Sequence, residues 1–418
     1  MKLRAFGLAL AVGSVAASVT LAAEALPPPA APANAPPPGQ RNVVMVLIDG
    51  VRQRELLGKA ADDNNRPVRA SDLMPNVTAL RKSGVYFSRF RISNPAGVSL
   101  PGYADIFAGR RQERILTNAP PPADLRSHYP TLFQTVKKEL GLGFDGVALI
   151  AAWSPLCSIA IQPPVAPADD FYRSCAFRNN AAAPTPPASP ATASATPPPP
   201  PVPAAALPAG VQPAAPIYFK PEVYSGSRSD SDTFLEAMQE VPRRHPRLLV
   251  VHFVDADEEA HLQLRVQRRA NQNYGIFHYH QALRASDYYI GRLWAMLQAD
   301  PFYRDNTFLI ISTDHGRDDF PETDQWAMHG HCVSEFGARK TCSGCSSIFA
   351  IAVGPGLAPR VVKKGYDHTN LAPTIARLLG ASLPSATGEV MGELFPPAAP
   401  SATPVAEPDT ASAPTASK

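Results

Sequence analysis

Five short and nearly continuous apolar runs constrain the fold of this chain more than any other feature of its sequence. A strand with apolar residues on both faces has to be covered by helices on both sides, which is typical of parallel sheets. The runs are NVVMVLID (Asn42 to Asp49), GVALIAAW (Gly146 to Trp153), RLLVVHFVDAD (Arg247 to Asp257), TFLIISTDHG (Thr307 to Gly316) and IFAIAVGPG (Ile348 to Gly356).

Amphipathic segments lie between these apolar runs and are candidates for the covering helices. They span Met74 to Lys82, Tyr129 to Glu139, Tyr274 to Gln298 and His368 to Leu379. The alternation predicts an α/β fold in which a mostly parallel central sheet is flanked by helices on both faces.

Proline content indicates that part of the chain lies outside this fold. The 418 residues include 47 prolines, too many for one compact domain of that size. Three segments rich in Pro, Ala, Ser and Thr cannot bury enough surface to fold. We interpret residues 26–40 as a linker, residues 182–216 as a disordered insertion and residues 396–418 as a disordered tail. Residues 41–395 are expected to form a single domain around the insertion.

The first 25 residues have the pattern of a secretory signal peptide. Lys2 and Arg4 precede an apolar run from Ala5 to Ala22, and Ala23-Glu24-Ala25 offers a small-residue cleavage site. A membrane anchor is the alternative, but the run is short for a bilayer. We therefore expect a periplasmic or secreted protein without a transmembrane anchor after cleavage.

Five cysteines fit this oxidising location, where thiols tend to pair. Cys157 and Cys175 flank a short segment and are expected to form one disulfide. Cys332 could pair with either Cys342 or Cys345; a zinc knuckle made of these three is the alternative, but its ligand spacing is poor. The formal net charge is only +3 and there is no sustained basic run, so we expect no nucleic-acid binding.

Acidic and imidazole side chains follow three of the predicted strands. The carboxyl ends of parallel strands meet at one edge of a sheet, where binding groups collect. Carboxylate oxygens together with imidazole nitrogens suit zinc, and manganese is possible where oxygen dominates. The sequence therefore predicts a metal site at this edge, built from Asp49, Asp257, His261, Asp314 and His315.

Four motifs together resemble the alkaline phosphatase superfamily, most closely its nucleotide pyrophosphatase/phosphodiesterase-like branch. They are VVMVLIDGVR, SNPAGVSLPGYADIFAG, HFVDADEEAH and IISTDHGR, and the resemblance extends from Asn42 to about Phe395. It implies two divalent metal ions, with one held by Asp49, Ser99, Asp314 and His315. The second would be held by Asp257, His261 and one later histidine.

The later histidine is open among three positions. The branch carries a His-Gly pair before its penultimate strand, and WAMHGHC places His329 there, which makes it the favoured ligand. His331 and His368 compete with it, and His368 could instead cap the helix that follows. Asp255 is two residues before Asp257 and is expected on the same strand face. It would replace Asp257 as a ligand if the strand register slipped, but a supporting role is favoured for it. His252, inside a buried strand, is interpreted as a packing residue.

Ser99 is the candidate nucleophile. Because Pro101 suits the first turn of a helix, we expect Ser99 to cap a helix that begins near Pro101, with its oxygen at the positive end of that helix. The resemblance implies in-line attack by Ser99 and a phosphoseryl intermediate. It also implies that Asn118 holds the non-bridging oxygens, although Asn118 could be an ordinary turn residue.

The expected function is that of a two-metal phosphoester hydrolase, either a phosphodiesterase or a phosphomonoesterase. Sulfatases of the superfamily form formylglycine in a Cys/Ser-x-Pro-x-Arg frame, whereas SLPGY has Tyr103 at the position of that arginine. No arginine follows Ser99 until Arg110, which favours diesters over dianionic monoesters. A sulfatase-like or phosphonate-ester hydrolase, or a catalytically silent binding protein, are the alternatives.

Overall fold

The structure is a computed structural model that describes residues 40–175, 226–270, 276–318, 326–330 and 343–395. The predicted signal peptide, insertion and tail lie outside these residues, as do residues 26–39 of the predicted linker and Cys332, Cys342 and His331. Those assignments remain predictions.

A large mixed sheet forms the centre of the described fold. Its strands run in the order β10-β4-β9-β8-β1-β7-β5-β6, with β11 also paired to β4, while β2 and β3 form a separate antiparallel pair. The strand pairs of the large sheet are parallel except β4 with β9 and β8 with β9. The strands are β1 (Asn42–Ile48), β2 (Ala60–Ala61), β3 (Pro67–Val68), β4 (Val85–Arg91), β5 (Val147–Ala151), β6 (Tyr172–Cys175), β7 (Leu248–Phe253), β8 (Thr307–Ser312), β9 (Ser347–Val353), β10 (Arg360–Val362) and β11 (Tyr366–Asp367).

Helices cover both faces of this sheet. Side chains of β1 alternate between two hydrophobic cores, with Met45 in the core that includes α4, α5, α6 and α11, and Val46 in the core that includes α3, α7 and α9. The predicted α/β architecture is therefore confirmed. The helices are α1 (Gln53–Leu57), α2 (Ala70–Leu73), α3 (Pro75–Ser83), α4 (Ser99–Ala108), α5 (Leu132–Glu139), α6 (Pro155–Ile159), α7 (Asp230–Arg244), α8 (Asp255–Ala270), α9 (Phe277–Ala299), α10 (Ser343–Ser346) and α11 (Leu371–Leu379).

The strand formed by the third apolar run is shorter than the run itself. Strand β7 stops at Phe253, and α8 begins at Asp255, so Asp255 and Asp257 lie in the first turn of a helix. Acidic side chains are favourable at the positive end of a helix, which explains the early change from strand to helix. The expectation that Asp255 and Asp257 share a strand face is thus wrong.

The predicted disulfide between Cys157 and Cys175 is present and joins α6 to β6. It closes a segment with a sequence separation of 18 residues. Among the described residues, no helix is both long enough and apolar enough to cross a membrane.

Candidate metal centre and nucleophile

Three neighbouring strands, β8, β1 and β7, bring the predicted ligands to one edge of the sheet. β1 lies between the other two and is parallel to both. Asp49 directly follows β1, Asp314 lies two residues beyond β8, and Asp257 lies in the helical turn after β7. Short connections after parallel strands therefore place these three carboxylates together.

Asp49, Asp314 and His315 form the first group of potential ligands. One ligand atom from each residue lies within 4.8 Å of the other two, and all three side chains are buried. The Ser99 hydroxyl contacts the same group, with Oγ 3.3 Å from Asp49 Oδ1 and 3.3 Å from His315 Nε2. The structure thus brings together the four residues expected at the first metal.

Asp257, His261 and His329 form the second group, again within 4.8 Å of one another. His261 Nε2 lies 3.2 Å from Asp257 Oδ2 and 2.9 Å from His329 Nε2. The two groups adjoin, because the rings of His315 and His329 stack with their centroids 4.0 Å apart. Of the two candidate histidines in the described part of the chain, His329 and His368, it is His329 that lies beside Asp257 and His261.

Backbone carbonyls orient two of these imidazoles. His315 Nδ1 lies 2.9 Å from the carbonyl oxygen of Gly316, and His329 Nδ1 lies 3.1 Å from that of Gly97. A carbonyl oxygen can only accept a hydrogen bond, so both Nδ1 atoms donate. The lone pairs are left on Nε2, which faces the ligand groups and can bind a metal.

The first group has the properties of a site built for a cation. Asp314 Oδ2 is buried and has no hydrogen-bond partner among the described residues, although His315 Nε2 lies 3.4 Å away. Burial, followed by the charges of Asp314 and Asp257, raises the pKa of Asp49 well above its usual range. Clustered carboxylates of this kind are stabilised by a bound divalent ion, so the residues fit the expected metals.

Arg317 is a buried cation that sequence reasoning did not assign. It donates hydrogen bonds to the Asp257 carboxylate and to the carbonyl oxygens of Gly50 and Ala327. Burial alone would raise the pKa of Asp257, but His261 and Arg317 together hold it well below its usual range. The signal was present in the sequence, since Arg317 directly follows the Asp314-His315-Gly316 motif.

Ser99 does not cap its helix in the way expected from the sequence. Helix α4 begins at Ser99 itself, and Val98, in an extended conformation, precedes it as the cap residue. Asn118 Oδ1 accepts a hydrogen bond from the backbone N–H of Leu100 at 2.9 Å. The capping acceptor thus comes from a loop 18 residues further along the chain, which leaves the Ser99 hydroxyl facing Asp49 and His315.

The other candidate ligands lie elsewhere. His368 Nε2 is 3.3 Å from the carbonyl oxygen of Thr313, and among the described residues His368 joins neither ligand group. It does not cap the following turn either, because Asp367 accepts the capping hydrogen bond there. Asp255 Oδ2 accepts a hydrogen bond from the backbone N–H of Asp230, as a structural residue would.

Tyr103 and His252 support Asp49 from behind, which the interpretation of His252 as a packing residue missed. His252 Nε2 lies 3.0 Å from the Tyr103 hydroxyl and 3.5 Å from Asp49 Oδ2. The Tyr103 hydroxyl also neighbours the Asp49 carboxylate: burial is the main reason that the pKa of Asp49 is raised, and Tyr103 acts against it to lower that pKa. The available signal was a polar ring within the otherwise apolar run LLVVHF.

The Sulfatase family model matches residues 41–381, which is most of the 418-residue chain. The chain belongs to the Sulfatase family. This confirms the expected membership of the alkaline phosphatase superfamily, without distinguishing its nucleotide pyrophosphatase/phosphodiesterase-like branch. No curated protein sequence matches the chain.

Solved structures share the fold of this Sulfatase-family chain at low sequence identity. A putative sulfatase from Bacteroides thetaiotaomicron is 15% identical with a TM-score of 0.53, covering 84% of this chain and 74% of the other. The phosphonate monoester hydrolase SpPMH from Silicibacter pomeroyi is 16% identical with a TM-score of 0.51, covering 84% of this chain and 76% of the other. Identities this low establish a common fold and nothing about the substrate.

Proposed function

We propose that this Sulfatase-family protein is a metal-dependent hydrolase of esters whose tetrahedral oxyanion carries one negative charge, with Ser99 as the nucleophile. The observation that carries the proposal is the position of the Ser99 hydroxyl. It lies 3.3 Å from Asp49 Oδ1 and 3.3 Å from His315 Nε2, and His315 Nε2 in turn lies 3.8 Å from Asp257 Oδ1 of the second group. A tetrahedral group attacked by Ser99 would therefore sit beside both ligand groups.

The two groups would hold two divalent cations, zinc or manganese, and the mixture of carboxylate and imidazole ligands favours zinc. The first site would be formed by Asp49, Asp314, His315 and Ser99, and the second by Asp257, His261 and His329. When bound, such cations lower the pKa of a serine hydroxyl and stabilise negative charge on the leaving oxygen.

In the first step, Ser99 Oγ attacks the tetrahedral centre as its proton is released. A bond from Oγ to that centre forms while the bond to the leaving oxygen breaks, which gives a covalent serine ester and an alkoxide; the alkoxide takes up a proton, equivalent to the one released from Ser99, and leaves as an alcohol. Water then hydrolyses the serine ester and regenerates Ser99. Because Ser99 begins α4, the oxyanion would face the positive end of a helix. Asn118, whose Oδ1 accepts from Leu100 N–H at the same helix end, would donate its amide N–H to a non-bridging oxygen.

Charge balance favours a monoanionic group. Asp49, Asp314, Asp257 and a deprotonated Ser99 carry four negative charges, enough to neutralise two divalent cations. The buried guanidinium of Arg317 then leaves one positive charge in excess. A single negative charge on the substrate matches this excess, whereas the dianion of a phosphate monoester exceeds it.

Phosphodiesters, phosphonate monoesters and sulfate monoesters all meet this charge requirement. Family membership supports the two alternatives drawn from the sequence, a phosphonate-ester or sulfatase-like hydrolase, at least as well as it supports a phosphodiesterase. Tyr103 at the position of the formylglycine arginine disfavours sulfatase chemistry. We therefore place phosphonate monoesters and phosphodiesters first.

Hydrolysis of four nitrophenyl esters tests this function. We expect p-nitrophenyl phenylphosphonate and bis-p-nitrophenyl phosphate to be cleaved faster than p-nitrophenyl phosphate or p-nitrophenyl sulfate. A chelator should abolish turnover, and added zinc or manganese should restore it. Ser99→Ala should lose about a thousandfold in kcat, while Ser382→Ala, whose side chain is bound to Glu139, serves as the control.

Three results would contradict the proposal: turnover that survives exhaustive chelation, full activity in Ser99→Ala, or fastest cleavage of the dianionic phosphate monoester. Fastest cleavage of the sulfate would instead assign the sulfatase-like alternative and remove the preference for phosphorus esters.

We further propose that residues 41–395 form a single hydrolase domain that acts on small-molecule esters in the periplasm or outside the cell. The predicted signal peptide supports this location. The disulfide between Cys157 and Cys175 does so as well, since such bonds persist in oxidising compartments. Fractionation of cells that express the full chain tests it, with the fully reduced protein recovered from the cytoplasm as the contradicting result.

A further inference from the structure

A buried tyrosine and histidine lie near Asp49, with the histidine approaching Asp49 Oδ2 while Ser99 approaches Oδ1. Tyr103 is located one turn after Ser99 on α4, and His252 lies near the end of β7. Both side chains are fully buried, and their rings meet edge to face with centroids 4.8 Å apart. Neither residue belongs to the two ligand groups.

The direction of the hydrogen bonds follows from what surrounds His252. Its Nδ1 atom is buried without a hydrogen-bond partner among the described residues, whereas Nε2 lies 3.0 Å from the Tyr103 hydroxyl and 3.5 Å from Asp49 Oδ2. A buried N–H without an acceptor is rarer and costlier than an unused lone pair. The proton of the neutral ring therefore resides on Nε2, where it is donated to Tyr103 or Asp49.

The hydroxyl proton of Tyr103 has to point away from His252. The Tyr103 oxygen accepts from His252 Nε2, so its hydroxyl hydrogen is free for another acceptor, and the Asp49 carboxylate, with Oδ2 3.5 Å from the same His252 Nε2, is the acceptor beside it. Asp49 is thereby held by donors on one side. Its Oδ1 atom remains directed at Ser99 Oγ and at His315 Nε2, at 3.3 and 3.5 Å.

We propose that Tyr103 and His252 are positioning residues that orient Asp49 as a metal ligand. This inference rests on the proposed function, because it requires a metal at Asp49, Asp314 and His315. It also gives a task to Tyr103, the residue at the position of the sulfatase arginine.

Metal affinity of purified full-length variants tests the inference without reference to turnover. In competition with a chromophoric chelator, Tyr103→Phe should bind one of its two metal ions about 10- to 100-fold more weakly, with the other ion unaffected. Tyr303→Phe is the matched control, because Tyr303 is also buried and its hydroxyl donates to the carbonyl oxygen of Pro246, in another part of the fold. Both variants should unfold at similar denaturant concentrations when free of metal.

Two substitutions of His252 separate hydrogen bonding from packing. His252→Leu removes the donor and should weaken the same ion as Tyr103→Phe does. His252→Gln retains an N–H of similar reach and should restore part of the affinity.

Wild-type affinity for both ions in Tyr103→Phe, or equal loss in His252→Leu and His252→Gln, would overturn the positioning role while leaving the proposed function intact. Failure of the wild-type protein to bind two ions would overturn both.

Discussion

Gly50 shows how tightly a single residue beside the ligands is constrained. Gly50, directly after Asp49, has a φ of +65°, and a Cβ there would lie 2.6 Å from Asp257 Oδ1 and 2.7 Å from Arg317 Nη2. Its backbone N–H donates to Asp314 Oδ1 at 3.0 Å. Only glycine satisfies both the left-handed conformation and the close approach of the neighbouring carboxylate.

Arg52 and Glu55 form a buried ion pair at the start of α1. The two side chains are 1% and 0% exposed. Burial alone would raise the pKa of Glu55, but Arg52 and His280 lower it from 4.5 to about 2. Because the pKa is lower in the folded state, the pair stabilises the fold above about pH 4.5, and this contribution is lost as the pH falls toward 2.

We expect Glu55→Gln to destabilise the protein by about 3 kcal/mol at neutral pH, since it leaves Arg52 buried beside a neutral group. Between pH 6 and pH 3 the difference between wild type and variant should shrink by about 2 kcal/mol. Urea unfolding of the metal-free proteins across this range measures it. A difference that stays constant with pH would show that folding does not lower the pKa of Glu55.

At the scale of elements, the start of α4 is assembled from three separate parts of the chain. The helix supplies Ser99 and Leu100, the end of β1 supplies Asp49, and a later loop supplies Asn118. Asn118 Oδ1 accepts from Leu100 N–H, which gives this side chain a structural role as a cap in addition to the proposed contact with substrate. The two roles use different atoms of the amide and can be separated by mutation.

Asn118→Ala should cost about 1 kcal/mol of stability through the lost cap, and kcat/KM should fall as well. Asn118→Asp keeps an acceptor for Leu100 N–H, so its stability should match wild type, but it lacks the amide donor and kcat/KM should still fall. Denaturant unfolding and steady-state kinetics on the same preparations give both quantities. Wild-type kcat/KM in Asn118→Asp would limit Asn118 to the role of a cap.

For the whole molecule, the order of strands determines where chemistry and stabilisation are located. The ligands follow β8, β1 and β7 at the centre of the sheet, whereas the disulfide joins α6 to β6 at the edge. One strand, β5, lies between β6 and β7. The disulfide should therefore stabilise the edge of the fold without entering the site.

Removing the disulfide with Cys157→Ser/Cys175→Ser should lower the free energy of unfolding by about 3 kcal/mol, the loop-closure entropy of an 18-residue separation. Metal affinity and kcat should remain close to wild type. Reductant should bring the wild-type protein to the stability of the double variant and leave the variant unchanged. Equal loss in both on reduction would mean that another thiol pair carries the effect.

Much of the architecture follows from local patterns. Each of the five apolar runs contains a strand of the large sheet, because continuous apolar sequence reports burial on both faces. Strand β4, with the sequence VYFSRFR, was not predicted, because its polar residues Ser88, Arg89 and Arg91 interrupt the apolar run. It pairs antiparallel with β9. Its burial is decided by its neighbours and not by its own periodicity.

The sequence by itself determined the α/β class, the delivery of Asp49, Asp257 and Asp314 to one edge of the sheet, and the pairing of Cys157 with Cys175. Residue type and periodicity suffice for these features because each depends on a segment and its nearest elements. Only the tertiary structure decided that Asn118 caps α4, that Arg317 holds Asp257, and that Tyr103 and His252 support Asp49. These contacts join residues up to 203 positions apart, through a strand order that local sequence does not encode.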